Sequence, residues 1–227
     1  MQTKKVYCVP VGAIETNCWL YATEEESDPM SCIVIDPGDD ADLIISRLKE
    51  LNWVPGYILL THGHFDHLMA LADLLEAFDK GTFGKREKPK VGIHRMDAHY
   101  LGKDARNVHK KSYSFAGGGD SSFIDAIWKP VKEADILFEE GDTVSSFKVL
   151  HLPGHTPGSA AFYDEKTGVL FSGDTMFQGD WGRTDLPGGD EALIQQSLKR
   201  LRSMKEEIIV CPGHGPVTTI GEERRNY

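Results

Sequence analysis

Three histidines fall within seven residues, Thr61-His62-Gly63-His64-Phe65-Asp66-His67, directly after the apolar run Tyr57-Ile58-Leu59-Leu60. With 9 histidines in 227 residues, composition alone would place roughly 0.3 in such a window, so abundance does not explain the cluster. The apolar run predicts a buried strand, which puts the motif where a strand ends and the chain turns. In an extended turn His62 and His64 point the same way, while Asp66 and His67, at a helix start, turn toward a second point; two nearby metal ions could be served.

The same placement recurs along the chain: His155 follows the strand-like Val149–Leu152, Asp174 follows Leu170-Phe171, and His214 follows Ile208–Val210. Side chains at the ends of neighbouring strands meet at one edge of a sheet, where a rigid scaffold positions them. Imidazole and carboxylate donors suit Zn, Fe or Mn, and the absence of a cysteine-rich cluster argues against a four-sulfur structural zinc site. Cys8, Cys18, Cys32 and Cys211 show no Cys-x-x-Cys spacing and read as reduced thiols, Cys211 as a buried one at a strand end. His94, His99, His109 and His151 lie outside the pattern and are assigned ordinary core or surface roles.

Periodicity predicts strands at Val6–Gly12, Asn17–Thr23 and Ser31–Ile35, an antiparallel start, followed by a helix over Asp40–Leu51 and another over Leu68–Phe78. Val91–His94 reads as a strand, Arg95–Leu101 as a short helix, and Lys103–Trp128 as a polar, Gly-rich excursion that could act as a lid or line a substrate. Within it, Gly117-Gly118-Gly119 lacks the lysine and helix of a phosphate loop and reads as a flexible run. One strand over Thr143–Leu152, a hairpin of Ser159–Tyr163 with Gly168–Phe171, a helix over Glu191–Met204 and a strand Ile208–Val210 complete the pattern. Strand groups in both halves with helices between them predict an α/β chain of two helix-covered sheets, folded as one domain over residues 1–227.

A formal charge of −10, from 35 acidic and 25 basic residues, repels phosphate backbones and anionic lipid, so neither nucleic acid nor a membrane surface is the expected partner. No apolar stretch reaches the length of a membrane span and no leader pattern opens the chain, which makes a cytoplasmic location the expectation.

Taken with Val34-Ile35-Asp36-Pro37-Gly38, Leu152-Pro153-Gly154-His155-Thr156-Pro157-Gly158-Ser159, Phe171-Ser172-Gly173-Asp174-Thr175 and Pro212-Gly213-His214-Gly215, the histidine motif resembles the metallo-β-lactamase superfamily in the order and separation of all five segments. Within it the chain is most similar to the short glyoxalase II-like hydrolases, notably in Gly182-Arg183-Thr184-Asp185-Leu186-Pro187-Gly188-Gly189. The resemblance implies an αββα sandwich, two mixed sheets flanked by helices. It also implies two divalent metal ions, zinc first with iron or manganese as alternatives: His62, His64 and His155 on one, Asp66, His67 and His214 on the other, and Asp174 between them. Asp66 and Asp174 would be the catalytic carboxylates, and a hydroxide held between the metals would attack the carbonyl of a small thioester of the hydroxyacylglutathione type or a related small acyl substrate.

Asp36 resembles the aspartate that orients a ligand in that family; from the residues alone it is equally a turn former. Arg183 either pairs with a substrate carboxylate or staples its loop to Asp180 or Asp185. Full-length glyoxalase II proteins carry a C-terminal helical domain that helps to grip glutathione, whereas thirteen residues follow His214 here, an arrangement that leaves room for a homodimer. The alternatives within the same fold are a mononuclear iron persulfide dioxygenase, using the positions of His62, His155 and Asp174, and a lactone or ester hydrolase.

Overall fold

A computed structural model describes residues 6–22, 30–116 and 120–226. The first sheet orders β1 (Val6–Val11), β2 (Thr16–Ala22), β3 (Met30–Ile35), β4 (Trp53–Leu59), β5 (Lys90–His94) and β6 (Ile136–Phe138) in sequence. Its first three strands are antiparallel, as expected, and the remaining pairings are parallel. The second sheet runs β12 (Thr218–Thr219), β11 (Ile209–Pro212), β10 (Val169–Gly173), β9 (Ala160–Asp164), β8 (Phe147–His151), β7 (Thr143–Val144), with only β10–β11 parallel.

Three apolar layers explain why the strands read as continuous hydrophobic runs: both faces of each sheet are covered. On β3, Ile33 and Ile35 point between the sheets and Cys32 and Val34 point outward; β2 alternates Trp19 and Tyr21 against Cys18 and Leu20. The layer between the sheets is aromatic, with Tyr21 4.8 Å from Phe147 and 5.6 Å from Phe171, and Phe138 5.4 Å from Phe162. Helices α1 (Ala41–Glu50) and α2 (Leu71–Asp79) cover the first sheet through Ile44, Leu48, Leu71 and Leu74, while α5 (Glu191–Arg202) covers the second through Ile194, Leu198 and Leu201. The expected αββα sandwich is therefore the observed fold.

Several local expectations are corrected. Thr143–Leu152 is a hairpin, because Val144 and Phe147 pair across a turn at Ser145, whose φ of 55° ends the extended run. β4 begins at Trp53 rather than Tyr57: its register with β3 slips between Cys32 and Ile33, opposite Pro55 and Tyr57, and that irregularity accommodates Pro55 in an interior strand. α2 starts at Leu71 and α5 stops at Arg202. The strands β6 and β12 and the C-terminal α6 (Ile220–Asn226) are too short to carry a period and were not expected. Thr23 and the Gly117-Gly118-Gly119 run fall outside the described residues. All four cysteines are free; Cys18, Cys32 and Cys211 are buried and Cys8 is exposed.

The Lys103–Trp128 excursion carries two helices, α3 (Ala105–Ala116) and α4 (Ser122–Ile127). α3 reads as polar because only a narrow stripe, Ala105 and His109, is fully buried. His109 donates Nε2–H to the Tyr100 carbonyl at 2.9 Å and packs among Phe65, Tyr100 and Trp128, at 5.5, 5.4 and 5.2 Å between ring centres. Burial pulls this imidazole down to about 4. The native state therefore stays neutral where the unfolded chain, titrating near 6.5, takes up a proton; the contribution is complete above about pH 6.5 and is lost as pH falls toward 4. Accordingly, the difference in unfolding free energy between wild type and His109→Gln should shrink by about 3 kcal/mol between pH 7 and pH 4 in denaturant titrations.

Candidate metal centre

Both sheets deliver side chains to one edge. β4 leads into Thr61 and the motif, whose Phe65–His67 segment is a single 3₁₀ turn; β8 leads to His155, β10 to Asp174 and β11 to His214. The sheets are tied together at this edge, Ala160 N–H donating to the Thr61 carbonyl at 2.8 Å and Asn17 N–H to the Gly213 carbonyl at 2.7 Å. The Asn17 side chain also donates to the carbonyls of Pro212 and Gly215, holding the His214 loop against the start of β2.

The seven residues expected to bind metal converge in three overlapping groups: His62, His64 and His155; His62, His67 and Asp174; and Asp66, His67 and His214. In each, the donor atoms lie within 4.8 Å of one another. His64 Nδ1 faces His155 Nε2 at 2.7 Å, and His67 Nε2 lies 3.2 Å from Asp66 Oδ2 and 3.4 Å from Asp174 Oδ1. His214 Nε2 stands 3.3 Å from Asp66 Oδ2 and 3.7 Å from Asp174 Oδ2, so Asp174 lies between the two outer groups.

Hydrogen bonds on the far sides of the rings set the tautomers. His67 Nδ1 donates to Asp36 Oδ2 at 3.0 Å, His155 Nδ1 to the Arg183 carbonyl at 2.7 Å, and His214 Nδ1 to the Ile14 carbonyl at 3.2 Å. The Thr61 hydroxyl donates to Asp36 Oδ2 at 2.7 Å and so accepts from His62 Nδ1 at 3.1 Å. Each of these four rings thereby turns its Nε2 into the centre, the nitrogen that a ligating histidine presents.

Donor chemistry and burial together fit metal ions. The inward His62 Nε2, His67 Nε2 and Asp174 Oδ1, together with His64 Nε2, are buried without a hydrogen-bond partner. Leaving several such groups unpaired costs free energy that a bound cation removes. Burial, then the neighbouring imidazoles, hold His62 well below the usual histidine range and His64 at about 3, so both remain neutral donors. On the other side burial is overridden: Asp174, Asp66 and Asp36 raise His67, and its charge in turn holds Asp174 at about 2 and Asp66 well below the carboxylate range.

Asp36 has the geometry that each of its two readings requires. It sits at φ 52° in the turn after β3, and its buried carboxylate accepts from Thr61 N–H, the Thr61 hydroxyl and His67. Arg183 forks onto Asp185 at 2.6 and 2.7 Å, the stapling reading, while its carbonyl orients His155. Cys211 is buried, its thiol pushed up to about 12 by burial. His94 and His151 stack on each other at 4.1 Å and belong to none of the three donor groups.

Asp97 was not anticipated. It lies on the 3₁₀ helix Arg95–Tyr100, fully buried, and accepts from Gly63 N–H at 2.9 Å, the Thr156 hydroxyl at 2.7 Å and Gly158 N–H at 2.7 Å. No local pattern marks it, because all its partners are at least 34 positions away.

Sequence and fold comparisons agree with this geometry. The chain is 36% identical over 219 residues to hydroxyacylglutathione hydrolase GloC of Haemophilus influenzae, covering 96% of this chain and 94% of that protein. A crystal structure of TTHA1623 in a di-iron-bound form superposes with a TM-score of 0.79 at 38% identity, covering 97% of this chain and 98% of the other. A crystal structure of BLEG-1 B3 metallo-beta-lactamase gives 0.78 at 35%, covering 97% of both chains. Residues 11–214 match the Metallo-beta-lactamase superfamily, a span that contains every residue of the cluster. The convergent donors, the two-sheet frame that carries them and these matches place the chain in the metallo-β-lactamase superfamily.

Proposed function

We propose that this metal-dependent hydrolase cleaves small thioesters of the hydroxyacylglutathione type, using two cations held by His62, His64 and His155 and by Asp66, His67 and His214, with Asp174 shared. One observation carries the reading: seven donors of the right chemistry face one another, and four of them, His62, His64, His67 and Asp174, keep a buried atom without a hydrogen-bond partner. The similarity to GloC supports the substrate class. When bound, divalent cations polarise the carbonyl and acidify water.

The chain's own groups do the rest. Asp66 and Asp174, held ionised by the imidazoles facing them, accept hydrogen bonds from the attacking water and orient it. Asp66 is the more open of the two, with a side chain 28% exposed, and the Thr16 hydroxyl donates to its Oδ2 at 3.2 Å. The water oxygen bonds to the acyl carbon as one of its protons passes to the Asp66 carboxylate, the C–S bond breaks, sulfur leaves as a thiolate, and that proton then goes to the thiolate, leaving acid and thiol. A thiol pKa near 8.5 makes that departure easy without a strong acid, which is why this site suits thioesters. Arg183, 52% exposed beside the centre, is the residue we assign to a substrate carboxylate, exchanging Asp185 for it.

The test pairs metal counting with assays of purified protein. About two ions per chain with cleavage of a hydroxyacylglutathione thioester is the expected result. One iron per chain, with oxygen consumed when glutathione persulfide is supplied, would replace this reading with the dioxygenase one.

A further inference from the structure

We infer that Asp97 is a positioning residue for one cation position only, that of His62, His64 and His155. This rests on reading the cluster as two cation positions and not on the thioester assignment.

The geometry is specific. Gly63 lies between His62 and His64, and Thr156 and Gly158 follow His155, so one buried carboxylate ties together the two loops that bring these three imidazoles into contact. The gap it spans is the one across which His64 Nδ1 and His155 Nε2 stand 2.7 Å apart. Asp97's own helix presses on both loops: a Cβ on Gly63 would lie 2.0 Å from the Tyr100 ring, and one on Gly158 2.5 Å from the Asp97 carboxyl. Charge-assisted bonds to a carboxylate are about twice as strong as neutral ones, which gives the tie its stiffness.

The other position has different supports. His67 is held by Asp36, His214 by the Ile14 carbonyl and Asp66 by the Thr16 hydroxyl. Among the described residues, no hydrogen bond joins Asp97 to these three. The two halves of the centre are thus steadied by two separate aspartates, Asp36 on β3's turn and Asp97 on the short helix after β5. Of these two supporting aspartates, Asp36 also reaches the first half, through Thr61 to His62, besides holding His67 directly.

Asp97→Asn keeps the volume but turns one acceptor into a donor facing N–H and O–H groups, so at least one tie is lost. Zinc affinity is measured by competition with a chromophoric chelator in two backgrounds that each retain one complete outer group. In His214→Ala, where the His62, His64 and His155 group remains, Asp97→Asn should weaken zinc binding roughly 10–100-fold. In His64→Ala, where Asp66, His67 and His214 remain, the same change should leave affinity unaltered. Equal weakening in both backgrounds, or in neither, overturns the inference.

Should Asp97→Asn fail to fold, Thr156→Val decides the question in the His214→Ala background. Weaker binding that Thr156→Ser restores supports the inference, and unchanged binding overturns it. Because the readout is metal affinity, a protein that binds two ions yet cleaves no thioester would sink the proposed function and leave this result standing.

Discussion

Asp174→Ala is expected to reduce thioester turnover by at least ~10³-fold, a loss of about 4 kcal/mol in transition-state stabilisation. Among the described residues, Asp174 is the carboxylate in contact distance of imidazoles from both outer groups, 3.5 Å from His155 and 3.4 and 3.7 Å from His67 and His214. Under the proposed function, its removal takes one ligand from each cation position and the ionised acceptor that orients water. It also leaves His67 without the largest of the carboxylate influences that favour its charged form, so that ring moves toward neutrality. The fold should survive, because the aromatic layer between the sheets does not include Asp174. Metal content by elemental analysis should fall below two per chain, while far-ultraviolet circular dichroism stays as in wild type. Turnover within tenfold of wild type would sink the assignment.

The second large effect comes from a residue with no chemistry of its own. A Cβ at Gly213 would lie 2.1 Å from Asp174 Oδ1 and 2.8 Å from His67 Cε1, inside the cluster. Backbone conformation is not the obstacle there, since φ at Gly213 is not positive; the space is simply taken by two donors. Gly213 is fixed in turn, its N–H donating to the Gly173 carbonyl at 2.9 Å and its carbonyl accepting from Asn17 N–H. The backbone therefore has little freedom to retreat, and Gly213→Ala must push Asp174 and His67 aside. Activity and metal affinity should fall roughly 10–100-fold, in line with the loss of a group that orients a ligand. Gly215→Ala is the control: a Cβ there meets nothing within 4 Å, so it shows the cost of its positive φ alone. Equal effects of the two substitutions on metal affinity would refute the steric account.

The donors themselves were legible in the sequence. His62, His64, Asp66 and His67 crowd one strand end, and His155, Asp174 and His214 each close a recognisable apolar run, because a strand inside a two-sheet core has to be apolar and its end has to be where polar function begins. The two sheets followed from the same runs, down to the antiparallel start.

What the chain could not announce is what depends on distance in space rather than in sequence. Asp97 meets Gly63 and Gly158 across 34 and 61 positions, and Asn17 meets Pro212 across 195. Neither residue type nor period encodes such contacts. The helices of the 103–128 excursion were missed for a related reason: a stripe as narrow as Ala105 and His109 gives too little apolar signal, and only Phe65, Tyr100 and Trp128 packing around His109 reveal what that helix covers. Local composition determined which donor groups stand at the strand ends. Tertiary packing alone decided which nitrogen of each ring faces inward, which aspartates hold those rings, and which glycines leave them room, since each of these is set by a partner that another strand or helix supplies.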